Sequence, residues 1–435
     1  MDSTQNREVT ATPEFFRILV VALIVGFVSS FGAAWYSGLF ERAQELLYQE
    51  VPRHFGWTDV PAWWAGVVLF AGAGIVALAR RLPGATGDGP LTGFHFTSPI
   101  RFAMGTLIAA FATLSCGFAL GPEGPLVILG SAIGGLIMRN RGSEAMRLGM
   151  FLGGIAAIGS VFGNPLVSGF MVLEFVAIGL APAVLILPAF IALASGFLVE
   201  VGVAGWPGLG VHNLSVPGIA PYTSLRVGDL LFGVLVAAVS GVIAILARRG
   251  GLRTDIAARR RPLGVLFTAA AVTVGMLAIA QSGFGLQADT VLFSGATGIP
   301  EILKQTSVAA VIAALGCKLV AYAVALGGGY RGGAIFPAAF LGVAVAVLAS
   351  LTIGASVTAM AAAGIAATAA AMTKLPATSA LLAALLLTGS TGTVAPFAIY
   401  GAAIGILIRL AVDKRFPEPA IAAEPLMTEP SGLTD

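Results

Sequence analysis

Residues 119–135 read ALGPEGPLVILGSAIGG. One carboxylate, Glu123, stands in an apolar run, with Pro122 and Pro125 around it and Gly121 and Gly124 beside them. A carboxylate at membrane depth costs at least about 2.5–3.5 kcal/mol, so it marks a functional position. Pro125 suits the first turn of a helix, where its missing N–H loses nothing. The spacing therefore sets Glu123 just ahead of the N-terminus of the apolar run 125–138. Free amides and the positive dipole end at such a terminus attract anions. The side chain would act as a tethered anion in an anion site, able to leave when protonated or displaced.

The surrounding text puts that stretch in a membrane. Of 435 residues, 57% are hydrophobic and 10% are charged, against roughly 25% charge in a soluble domain. The net charge, 24 − 21 = +3, is too small and dispersed for a phosphate-binding footprint. Soluble enzymes, disordered chains and nucleic-acid binders are excluded, and no nucleic-acid partner or cofactor is expected. A span needs about 20 apolar residues, and nearly the whole interval 15–412 reads as such runs. These include 125–138, 148–163, 166–199, 227–247, 334–352 and 377–388. Several are shorter than a full span or are broken by Gly and Pro, as in helices that stop inside the membrane. Irregular backbone at that depth is tolerated where protein buries it or water reaches it.

The first dozen residues, MDSTQNREVTAT, are polar, and no cleavable signal peptide is expected. The chain is expected in the cell membrane, with lipid around it. Cys116 and Cys317 read as small buried hydrophobes, and His54, His95 and His212 follow no metal-ligand spacing.

Charge divides the chain. The segment 248–261, RRGGLRTDIAARRR, holds six arginines and one aspartate. By the positive-inside rule it reads as a cytoplasmic loop, as does 139–147, with a lipid-headgroup or nucleotide site as the alternative reading of the basic run. The expected plan is a cytoplasmic tail 1–14, a first membrane half 15–247, a basic linker 248–262, a second half 263–412 and a short cytoplasmic tail 413–435.

The two halves look like copies. GPEGP at 121–125 recurs in character as GGAIFP at 332–337, and GNPLVSGF at 163–170 as KLPATSAL at 374–381. The offsets agree, 337 − 125 = 212 and 376 − 165 = 211. Repeated broken helices place a substrate site where the halves meet. The second break, LGGGYRGGAIFPAAFLG at 326–342, has five glycines between 327 and 333, which let the backbone turn its amides towards a ligand. Pro337 again suits a helix start, so the amides of Gly124, Gly333, Ala334, Ile335 and Phe336 are candidate anion donors. Arg331 is a candidate for drawing anions or anchoring headgroups.

These stretches resemble the CLC chloride channels and proton-coupled chloride transporters. GPEGPLVILGSAIGG resembles the family's gating-glutamate segment, GNPLVSGFMVLE the helix after it, and GGYRGGAIFPAAFLG the second anion-binding segment. The resemblance implies an all-α polytopic fold built as an inverted repeat of broken, tilted helices. It implies a homodimer with one pore per subunit, Glu123 as gating glutamate, and Ala334 and Ile335 amides holding the anion.

The departures bear on mechanism. Pro122 stands where the family has a basic residue, and Ile335, followed by Phe336, where it has phenylalanine. The family's early serine loop has GDGP at 87–90 as its nearest counterpart by position, with Asp88 near the serine's place. The transporters' inner proton glutamate is matched by Phe175, with Glu174 just before it; Glu174 reads as a structural acid at a helix end. The family's central tyrosine has no counterpart after the last long helix, where the roughly 20-residue tail also leaves no room for the nucleotide-binding regulatory domains some relatives append. Tyr322, Tyr330 and Tyr400 lie outside that motif and read as packed interfacial residues.

The leading expectation is passage of chloride or another small monovalent anion, gated by Glu123, passive or weakly proton-coupled. A fluoride or other anion/proton antiporter is the alternative, and an organic-solute transporter stands behind it. An intramembrane enzyme would need a Ser/His pair, paired aspartates or HExxH in the spans, and the sequence shows none.

Overall fold

The computed structural model describes residues 13–418 apart from 58, 83–88, 95, 97–99, 204–205, 207–208, 211–214, 217 and 388. The described residues are helices joined by turns. Helix α1 (Pro13–Glu45) continues through a π turn (Leu46–Glu50) into Val51–His54. The first half is completed by α2 (Ala62–Ala79), α3 (Ile100–Ser115), α4 (Glu123–Met138), α5 (Ser143–Phe162), α6 (Pro165–Ala177) and α7 (Ile186–Val203). The second half holds α8 (Val227–Arg260), α9 (Pro262–Phe284), α10 (Ile299–Leu303) and α11 (Val308–Gly327). It closes with α12 (Ile335–Ile353), α13 (Val357–Thr373), α14 (Pro376–Leu386) and α15 (Thr391–Arg415).

Nine helices among the described residues are long and apolar enough to cross a membrane, while α3, α4, α6, α13 and α14 are shorter. The protein is an integral, multi-pass membrane protein. The apolar run 166–199 is two helices, α6 and α7. Gly179 at φ 75° and Pro182 break it, because a left-handed residue and a missing N–H both end a helix.

The duplication carries into three dimensions. Helices α4, α5 and α6 match α12, α13 and α14 at nearly one offset. Gly163 ends α5 at φ 57° and Lys374 ends α13 at φ 62°, with 374 − 163 = 211. A Cβ on Gly130 would overlap the Gly153 carbonyl, and one on Gly342 the Gly364 carbonyl, so both helix pairs cross backbone to backbone. Lipid gives helices little hydrophobic reason to associate, and close packing of small residues supplies the contact instead.

The basic segment departs from expectation. Residues 248–260 are the continuation of α8, and the chain turns only at Arg261. The Gly250–Gly251 pair does not break the helix, because it lets α8 cross α11 closely, with Gly251 against Gly327 and Leu326. Its first arginines face inward. Arg248 donates to Glu418 (2.9 and 2.7 Å) and to the Leu91 carbonyl (3.2 Å), and Arg249 reaches Asp413 at 3.2 Å. Arg409, only 1% exposed, joins Asp413, Glu418 and the Ala371 carbonyl. Asp413 and Glu418, both in the stretch expected as the short C-terminal tail, thus lock α15 onto α8, because buried guanidinium groups need carboxylate partners.

Candidate anion site

The two breaks meet. Gly121 N–H donates to the Gly333 carbonyl (2.9 Å) and Gly333 N–H to the Gly121 carbonyl (2.5 Å), an isolated antiparallel bridge. Gly124 packs on the Gly332 carbonyl, where a Cβ would stand 3.1 Å away. The bridge sets the N-termini of α4 and α12 against each other near one point. Both helices begin slightly earlier than proline placement alone suggests. α4 starts at Glu123 itself, after Pro122, and α12 at Ile335, so Pro125 and Pro337 each lie third in their first turn.

Glu123 is fully buried. Its Oε1 accepts the amide of Ile335 at 2.6 Å and that of Phe336 at 3.2 Å. Its Oε2 has no hydrogen-bond partner. The carboxylate therefore occupies the N-terminus of a helix from the other half of the chain. Such a terminus presents unsatisfied N–H groups and the positive end of the dipole. Room for it comes from missing side chains, since a Cβ at Gly121 or Gly333 would overlap the carboxylate.

Of the amides singled out in the sequence, those of Ile335 and Phe336 face Glu123. The Gly333 amide does not, because the bridge to Gly121 consumes it. Ala334 turns its carbonyl to the hydroxyl of Tyr322 at 2.6 Å. Phe336 leans towards Phe162, ring centroids 6.2 Å apart.

The remaining candidates are engaged elsewhere. Glu174 accepts the amides of Ala377 (2.7 Å) and Thr378 (2.8 Å) and the Thr378 hydroxyl, capping the start of α14. Phe175 is buried edge-on to Phe96, centroids 5.9 Å apart. Tyr400 reaches the Leu230 carbonyl of α8 at 3.4 Å and packs on Phe397. Asp88 lies outside the described residues, as does His95; its neighbour Gly89 lies against Arg331, 3.6 Å from an ideal Cβ to Nη1.

Tyr322 is the residue the sequence did not disclose. It is fully buried, and its hydroxyl holds the carbonyl of the peptide whose Ile335 amide meets Glu123. Its position four residues after the buried Lys318 on α11 offers no motif that would single it out.

A sequence model of the voltage gated chloride channel family matches residues 89–409. A candidate ion-transport protein of Escherichia coli (strain SE11), YfeO, is 27% identical over 344 residues, covering 75% of this chain and 77% of its own. The same protein from Shigella boydii serotype 4 matches to the same extent. Among solved structures, a slow cyanobacterial chloride/proton antiporter superposes with a TM-score of 0.74 at 18% identity, covering 91% of this chain and 95% of that one. A CLC-type fluoride/proton antiporter superposes at 0.65 with 17% identity, over 91% and 96%.

Proposed function

This chain belongs to the voltage-gated chloride channel family, whose members move anions as channels or proton-coupled antiporters, and we propose that it passes small monovalent anions, chloride foremost, through a route closed by Glu123. One observation carries the proposal: Glu123 Oε1 sits on the Ile335 and Phe336 amides. A halide carries one negative charge, as the carboxylate does, and the same two donors suit it. Anion and side chain then compete for one place, so passage requires the carboxylate to swing out. Protonation removes its charge and loosens its hold on both amides, which makes the gate pH-sensitive. Dehydration of the anion is offset by the amides and the dipole of α12, without a side-chain cation.

Coupling to protons is weak or absent in this reading. By the family resemblance Phe175 occupies the position of the antiporters' inner proton glutamate, and a phenyl ring relays no proton. Glu174 next to it is committed to the first turn of α14. The protein pairs as a homodimer with one route per subunit, as the family resemblance implies.

A second reading, fluoride/proton exchange, draws on the two-amide site. With the Ile335 and Phe336 amides as its donors, the site suits a small, strongly hydrogen-bonding anion.

The test is efflux from liposomes holding wild type or Glu123→Gln, with chloride, fluoride and proton movement followed together. Chloride efflux that responds to pH in wild type and not in the variant supports the proposal. Fluoride efflux without chloride moves the protein to the second reading. Absence of both fluxes in both proteins would overturn the anion assignment.

A further inference from the structure

The peptide group that gives Glu123 its shorter hydrogen bond is itself held from behind. Ala334 C=O and Ile335 N–H belong to one planar trans peptide unit, whose carbonyl and amide point in opposite directions. On one side the Ile335 N–H donates to Glu123 Oε1 at 2.6 Å. On the other the Tyr322 hydroxyl donates to the Ala334 oxygen, also at 2.6 Å. Both side chains are fully buried, so no solvent substitutes for either partner.

We infer that Tyr322 is a positioning residue for the anion site: its hydroxyl fixes and polarises the Ala334–Ile335 peptide so that the Ile335 amide is aimed at the bound anion. This inference rests on the proposed function, because it concerns the donor that carboxylate and halide share.

Two physical arguments carry it. The first is orientation. Ala334 is the N-cap of α12 and has no side chain able to cap it, and the residues before it are a glycine-rich turn, Gly332 and Gly333, with wide conformational freedom. A peptide entering a helix from such a turn can tilt, and the tyrosine hydroxyl resists that tilt from a separate helix, α11. The second is polarisation. A hydrogen bond to a carbonyl draws electron density from the amide nitrogen and makes its N–H a better donor, by roughly 10–30% per bond in a chain. In a dry, low-dielectric site that gain is not diluted by water. Tyr322 acts through the peptide and has no need to touch the anion.

A control lies on α1. Tyr36 is also buried and donates to the Leu107 carbonyl at 2.7 Å, a peptide on α3 that takes no part in the site. Its loss removes a hydrogen bond of the same kind without touching the Ala334–Ile335 unit.

The experiment measures chloride binding by calorimetry in the Glu123→Gln background, where the tethered carboxylate no longer competes. Adding Tyr322→Phe should weaken chloride binding about tenfold, the size of one net hydrogen bond, while Tyr36→Phe leaves it within about twofold. Equal effects of the two, with chloride still bound, overturn the inference alone. Failure of Glu123→Gln to bind any small anion overturns it together with the function it rests on. Should Tyr322→Phe not fold, 3-fluorotyrosine placed at position 322 keeps the shape and strengthens the donor. Binding should then tighten, and unchanged or weaker binding overturns the inference.

Discussion

Gly121 and Gly333 exchange both of their backbone hydrogen bonds, and the space their missing side chains leave is the space the Glu123 carboxylate fills. Position 333 is therefore under two demands at once, a backbone bridge and an open volume. Gly333→Ala should abolish chloride binding and efflux, because its methyl group intrudes on carboxylate and anion alike. Glu123→Gln should keep both. Calorimetric titration with chloride and liposome efflux, run on the two variants side by side, separate these outcomes.

Glu174 is predicted to be a cap rather than a proton carrier. Its carboxylate holds two amides and a hydroxyl at the start of α14. Glu174→Gln should lower stability by about 1 kcal/mol, the usual cost of a lost N-terminal cap. The ratio of protons to anions moved should not change. A thermal melt in detergent and a paired proton and chloride flux assay check the two halves of this statement. A changed ratio would make Glu174 a relay.

The C-terminal lock is predicted to be acid-labile. Burial pushes the Glu418 carboxyl up, but hydrogen bonds and charge from Arg248, with the charge of Arg409, outweigh that and leave it below the ordinary glutamate value. A depressed carboxyl stabilises the fold above its unfolded pKa, and that stability is lost as pH falls through its folded value. Wild type should therefore lose stability below about pH 4.3, and Glu418→Gln should lower Tm at neutral pH by several degrees while flattening the acid limb. The magnitude stays modest because Asp413 remains on Arg409. Melting curves between pH 3 and 7 test this.

The two halves should answer alike to matched changes. Gly153→Ala and Gly364→Ala each put a methyl group into the carbonyl of the facing helix. Each should destabilise by about 1–3 kcal/mol, as overpacking does, and the two values should agree within roughly 0.5 kcal/mol. Guanidinium or heat denaturation of the two variants gives the comparison; a strong imbalance would show that the repeat is not energetic.

Much of this is legible in the sequence. A lone glutamate between prolines in apolar text, and two breaks at one offset, pointed to two helix starts meeting at a carboxylate. Three things were hidden, each for a physical reason. That Gly333 spends its amide on Gly121 depends on backbone direction, which spacing does not encode. The basic stretch 248–260 reads as a loop by charge, yet its first two arginines are partnered by residues 170 and 164 positions on, Glu418 and Asp413. Tyr322 matters through a carbonyl twelve residues away, on the far side of a glycine turn, and no local pattern marks such a pairing.

The 212 positions separating Glu123 from Ile335 also have a meaning in time. At roughly 5–20 residues per second of synthesis, Glu123 leaves the ribosome on the order of ten to forty seconds before the amides that receive it exist. Throughout that interval a carboxylate bound for the membrane interior has no partner there. The nascent first half must wait at the bilayer with that carboxylate unseated, and assembly is complete only when the second half docks.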